Sequence, residues 1–182
     1  MGSSIVLPSA AGGILAFAMT SPGQVAHIYR TVAARPRRLS EERLATRSGH
    51  AAPNDLEVAG SRVAVSWEGL TAPTCPSDNP KLGPLGFVSE IHLSSIGGDR
   101  RLARTCDSSA VLTFAGLAWQ GTTVAFGAVS YPDNMLERRS QTGALLGRRP
   151  LPAGSLWIDA DHDAVAAVVN EPGTDRYDIV LF

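Results

Sequence analysis

Four times along the chain an apolar residue, an alanine and a second apolar residue follow a turn or a stretch of small residues. They are Leu15-Ala16-Phe17, Val63-Ala64-Val65, Val124-Ala125-Phe126 and Val165-Ala166-Ala167. A chain that repeats itself is built by stacking one small unit, and this constrains the fold more than any other feature of the sequence. Side chains on a strand alternate between faces, so each alanine occupies one face and its two apolar neighbours the other. Both faces are then apolar, as in a sheet covered on both sides. The alanine marks the side where a neighbouring sheet approaches closely.

The third copy shows the unit in its shortest form. Gly116 to Trp119 reads as a strand, Gln120-Gly121-Thr122 as a tight turn and Val124 to Val129 as a second strand. Tyr131-Pro132-Asp133-Asn134 has turn composition, since proline fixes φ and Asp and Asn bond their own backbone. Met135 to Gln141 and Ala144 to Arg149 complete four short antiparallel strands, the size of one propeller blade. The second copy places its strands at Asp55–Val58, Arg62–Trp67, Val88–Ile96 and Arg101–Thr105. The first places them at Ile5–Leu7, Ile14–Thr20, Val25–Val32 and Arg43–Thr46. The fourth supplies only three, at Ser155–Ile158, Ala164–Asn170 and Tyr177–Phe182. The 18 glycines and 12 prolines supply the turns that so many short strands need.

The segment from Ser155 to Val168 resembles the TolB-like (WD40-like) β-propeller repeat. In that repeat a Trp strand, a Ser-Pro-Asp-Gly turn and an Ile-Ala-Phe strand lead into an Ile-Tyr strand. Val124-Ala125-Phe126 and Ile28-Tyr29 are similar to the last two elements, whereas Gln120-Gly121 and Asp161-His162-Asp163 replace the turn. The resemblance implies a fold and a habit of binding proteins or ligands, and no reaction. The expected fold is therefore all-β: a β-propeller or partial propeller of about four blades, each of three to four short antiparallel strands. The blades fall at about 3–48, 54–107, 111–151 and 154–182 of a single propeller segment.

The copies are unevenly spaced, at 48, 61 and 41 residues between successive motif starts. The long interval holds a proline-rich insertion at about 69–86, carrying Cys75. Long loops of this kind are usually functional or disordered. Cys106 follows the fourth strand of the same copy. In an up-and-down blade both connections emerge on one side, where a Cys75–Cys106 disulfide would tie the loop down by roughly 3–4 kcal/mol. The other reading is two independent thiols. Two cysteines fall short of a zinc site's four ligands. If the bridge forms, the chain matures outside the cytoplasm.

Arginines gather near the third-to-fourth strand connections, at Arg35, Arg37, Arg38, Arg100 and Arg101, with Arg148 and Arg149 at a later fourth-strand end. Such a basic rim can grip an acidic partner or phosphate groups. The plainer reading is that edge strands carry charge to discourage sheet-to-sheet pairing. No aromatics interleave with these arginines, which argues against a nucleic-acid platform, and a net charge of -1 gives no general pull towards nucleic acid. Asp159, Asp161 and Asp163 offer oxygen ligands for calcium, but the spacing does not continue into a calcium loop, so an exposed polar turn is the simpler account. His27 and His92 read as sheet residues and His162 as part of that turn.

No nucleophile elbow, zinc-peptidase helix or phosphate-binding glycine loop occurs, and no cofactor is implied. No apolar run approaches the ~20 residues that cross a bilayer. Gly13 to Met19 lacks a basic leader and reads as a buried strand, not a signal peptide. The chain thus reads as a non-catalytic scaffold for protein or ligand binding. The alternative is a propeller enzyme, or the accessory domain of one, with a site built from loops. The missing strand of the fourth copy leaves three architectures: a small four-bladed propeller with an incomplete last blade, a fragment of a longer propeller, or a half-ring completed by another chain or a second copy.

Overall fold

The computed structural model describes residues 4–21, 25–32, 35–43, 52–72, 86–107, 114–130, 133–152, 155–160, 164–170, 173–174 and 176–182. Fifteen strands fall into four antiparallel sheets, each a meander in chain order. The first sheet holds β1 (Ser4–Ala11), β2 (Ile14–Ser21), β3 (Val25–Val32) and β4 (Arg35–Arg43). The second holds β5 (Ala52–Ala59), β6 (Arg62–Ala72), β7 (Gly86–Ser95) and β8 (Gly98–Asp107). The third holds β9 (Phe114–Gln120), β10 (Thr123–Ser130), β11 (Asp133–Ser140) and β12 (Leu145–Pro150). The fourth has three strands, β13 (Ser155–Ala160), β14 (Val165–Asn170) and β15 (Tyr177–Leu181). The four motifs all lie on the second strand of their sheets.

Local chemistry explains the hairpins. β1–β2, β5–β6 and β9–β10 each close over two residues, and in all three the first is a glycine at positive φ: Gly12 at 57°, Gly60 at 56° and Gly121 at 59°. Two-residue hairpins need a left-handed residue there, which glycine adopts without a steric cost. Register shifts recur as well. All four first-to-second strand pairs and all three third-to-fourth pairs carry one. A bulge adds right-handed twist, so each sheet is twisted at the same places.

One strand differs from the expected position. β4 occupies Arg35–Arg43, not the 43–46 segment. Its sequence, RPRRLSEER, has no apolar alternation, and it is placed by pairing with β3, where Arg30 meets Arg37 and His27 meets Glu41. β6 runs on to Ala72 past a register shift between Trp67 and Leu70. The remainder of the insertion, including Cys75, lies outside the described residues. Cys106 stands within β8 opposite Val88, not beyond the strand.

The chain divides into two compact units, 1–111 and 112–182. In the first, one core cluster joins Ala16, Ala18, Ala26 and Ile28 of the first sheet to Leu56, Val58, Val63, Val65 and Trp67 of the second. The alanines of one sheet thus receive the larger flanking residues of the next. Leu7, held at φ 55° in the β1 bulge, packs against the same cluster. Polar ties cross this interface: Ser9 Oγ donates to Glu57 Oε2 (3.0 Å) and accepts from Val58 N (3.1 Å), and Arg30 Nη1 donates to the Gly60 carbonyl (3.2 Å).

The second unit repeats the arrangement. β13 packs on β9 and β10, with Ala118 and Ala125 fully buried. On β14, Val165, Ala167 and Val169 are buried and the alternate residues only half-buried. At Gly116 the approach is closest. A Cβ there would lie 2.6 Å from both Ile158 Cγ1 and the Ile158 backbone nitrogen, and φ is +67°. Gly116→Ala combines a left-handed side chain with a clash against backbone, and is expected to lower unfolding free energy by roughly 2–4 kcal/mol. Gly97→Ala, whose Cβ would meet only Ser95 Oγ at 3.8 Å, is expected to stay within about 0.5 kcal/mol of the native chain. Urea unfolding measures both, and equal costs would contradict the close-approach account.

Candidate functional site

The inner strands are apolar, and the chemistry lies on the third and fourth strands. In the first unit, alternation on β7 puts Glu90, His92 and Ser94 on one face. Pairing with β8 sets Glu90 opposite Arg104, His92 opposite Arg101 and Ser94 opposite Asp99. The result is a connected network. His92 Nδ1 donates to Asp99 Oδ2 at 2.5 Å and Nε2 to Glu90 Oε2 at 2.8 Å. Ser94 Oγ, fully buried, donates to Asp99 Oδ1 (2.5 Å), and Arg101 Nη1 donates to Glu90 Oε1 (2.9 Å), with Arg104 Nε at 3.6 Å.

Both imidazole nitrogens face carboxylates, so the ring is held as a cation. Burial alone pulls His92 towards its neutral form. The hydrogen bonds and charges of Asp99 and Glu90 outweigh it and raise the pKa above the ordinary imidazole value. Burial likewise pushes Glu90 and Asp99 upward. Glu90 is nonetheless held below the ordinary range by His92 and Arg101, and Asp99 by His92 and Ser94. A histidine that donates from both nitrogens has no lone pair for a general base. Ser94 Oγ donates to Asp99.

In the second unit the comparable position holds Glu137, whose side chain is 5% exposed. Arg139 Nε and Nη2 donate to Glu137 Oε2 at 3.1 and 3.0 Å, and Arg148 Nε and Nη2 donate to Oε1, the first at 3.0 Å. Leu136 and Arg138 point to the opposite face by alternation. There they line a cavity of about 240 Å³ with Gln120, Gly147, Arg148, Arg149, Val165 and Phe182. Arg138 Nη1 donates to Gln120 Oε1 at 3.0 Å.

The arginines singled out in the sequence are distributed over both units. Arg35, Arg37 and Arg38 lie on β4, and Arg38 Nη1 donates to His27 Nδ1 at 3.4 Å. Arg100 and Arg101 lie on β8, with Arg101 committed to Glu90. Arg148 and Arg149 lie on β12, away from the β11–β12 hairpin, and both line the cavity. Asp159 is exposed and accepts from the Ala160 amide (2.8 Å), while Asp161 and Asp163 lie outside the described residues. Among the described residues no group of three His, Cys, Asp or Glu side chains converges as for a metal ion. Likewise, no described helix is long and apolar enough to cross a membrane.

No protein-family model and no curated protein matches the chain. Solved structures do. The β-propeller domain of the Trilobed protease from Pyrococcus furiosus, which has an open velcro topology, matches with a TM-score of 0.60 and 11% identity over 99% of this chain and 54% of that one. BamB from Moraxella catarrhalis matches at 0.38 with 12% identity, over 89% of this chain and 55% of its own. Glutaminyl cyclase from Myxococcus xanthus matches at 0.37 with 8% identity, over 91% and 67%. The Pyrococcus likeness shows a fold. The chain is all-β with the β-propeller fold and four blade sheets, and it spans about half the length of that domain.

The charge network predicts a pH dependence with two limbs. His92, with a raised folded pKa, contributes stability that is complete below about pH 6.5 and is lost as pH rises through the raised value. Glu90 and Asp99, with lowered values, contribute stability that is complete above about pH 4.5 and is lost as pH falls through the lowered values. The difference in unfolding free energy between the native chain and His92→Gln is therefore expected to be largest near about pH 5.5 and to shrink on the alkaline side. A difference that stays flat from about pH 5.5 to 9.5 would show that the ring is not held as a cation.

Proposed function

We propose that the chain is a non-catalytic β-propeller binding scaffold of the TolB-like type, whose terminal blade is covered by a second copy. The observation that carries this reading is the outer face of the fourth sheet. Leu181, Ile179 and Tyr177 stand opposite Ala166, Val168 and Asn170, and are 70, 73 and 59% exposed. β15 is the outermost described strand of a three-stranded sheet, so an apolar face and an unpaired backbone edge coincide. An exposed apolar edge of this kind is a template for association.

The first sheet offers a smaller apolar surface. Its face away from the second sheet carries Leu15, 39% exposed, beside the half-buried Tyr29, whose ring stacks on the buried Phe17, 5.3 Å apart and 13° from parallel. A twofold pair would lay each terminal sheet on the other copy's first sheet, making the same contact twice. The full commitment of His92 supports a binding role over a catalytic one.

The test is solution mass by light scattering. A species of twice the 19.1 kDa chain mass is expected, reverting to one chain in Ile179→Lys without loss of folded structure by circular dichroism. A native chain that remains at 19.1 kDa at every concentration would refute the paired assembly.

A further inference from the structure

The structure assigns to the third blade a binding pocket for a small, multiply charged oxyanion, formed by Arg138, Arg149 and Gln120 around Gly147. This does not rest on the paired assembly, because every lining residue comes from the second unit of one chain.

Charge is the first argument. Arg138 and Arg149 line the cavity from the face they share with Leu136, and no lining side chain is acidic. Glu137 is already shared between Arg148 and Arg139. On the cavity's own face this leaves the two positive charges of Arg138 and Arg149. Among the described residues Arg149 has no carboxylate in ion-pairing distance, and the partner of Arg138 is the neutral Gln120. Like charges gathered on a short stretch of sheet repel one another, and a bound anion relieves that repulsion.

Preorganisation is the second. Gln120 fixes Arg138 through Nη1. Guanidiniums held in this way present their remaining N–H groups as a fork suited to carboxylate or phosphoryl oxygens. Leu136, Val165 and Phe182 supply an apolar wall that lowers the local dielectric and strengthens the attraction.

Gly147 is the third. Glycine weakens a strand interior and often marks the place where a ligand comes close. Here a Cβ would sit 3.5 Å from Arg138 Nη2 and 3.7 Å from Nε, and any larger side chain would lie over the guanidinium. The missing side chain keeps that group open. The cavity volume of about 240 Å³ is below the roughly 300–1,000 Å³ of sites for drug-sized ligands, so the occupant is one compact group.

Isothermal titration of the full chain at low ionic strength with sodium phosphate, and separately with citrate, tests the site. Saturable binding of one anion per chain is expected with a dissociation constant at or below about 1 mM. Arg149→Gln and Arg138→Gln are expected to weaken it at least about tenfold. Gly147→Leu should do the same while leaving every charge in place, and Arg37→Gln on β4 should have no effect. Binding of phosphate alone identifies a phosphoryl ligand, and binding of citrate alone a polycarboxylate. Absence of saturable binding for both anions, or equal binding in all four variants, would overturn the assignment.

Discussion

Each unit of this chain depends on one contact: the small-residue face of its first sheet meeting the larger residues of its second. In the first unit Ala16 and Ala18 share one cluster with Leu56, Val58, Val63 and Val65, with β5 lying against β1 and β2. In the second, Gly116 admits Ile158 so closely that no Cβ fits between them. Such sheets cannot bury their apolar faces alone. Each acts as the cover of its neighbour, and stability is shared along the series. The rule has a direct consequence at the end of the described chain. The fourth sheet covers its predecessor with Val165, Ala167 and Val169, and turns Tyr177, Ile179 and Leu181 outward with no described sheet over them.

Apolar packing on the inner strands leaves the outer strands to electrostatics. The second and third sheets each hold a poorly exposed glutamate on their third strand, Glu90 and Glu137, and bind it with arginines from the third and fourth strands. In the second sheet His92 and Asp99 extend the group into one linked network of five charged side chains. In the third, Arg138 and Arg149 on the opposite face have no acidic partner among the described residues. The third blade therefore carries its ion pairs on the Glu137 face and its basic cavity on the other.

How much of this was legible in the sequence follows from what each element relies on. The second strands were visible because alternation of alanine with larger residues reports both faces at once. The three-strand fourth sheet was visible by counting against its neighbours. β4 was misplaced because a polar outer strand such as RPRRLSEER carries no periodic signal and is positioned by its partner. His92 was read as an ordinary sheet residue. Its network depends on a register shift between Ile91 and His92 that sets His92 opposite Arg101 and Ser94 opposite Asp99, and such a shift leaves no mark in the sequence. Arg148 and Arg149 stood out as a basic pair. Gln120, Arg138 and Gly147 did not, since β9, β11 and β12 bring them together only through pairing.

The outward face of β15 is where packing, repeat count and proposed assembly converge, and amide hydrogen exchange reads it directly. If that face and edge are covered by a second copy, protection of the amides of Tyr177, Asp178, Ile179, Val180 and Leu181 rises with protein concentration, while β10 amides in the third blade stay unchanged. Exchange in β15 that is fast and independent of concentration would contradict the account.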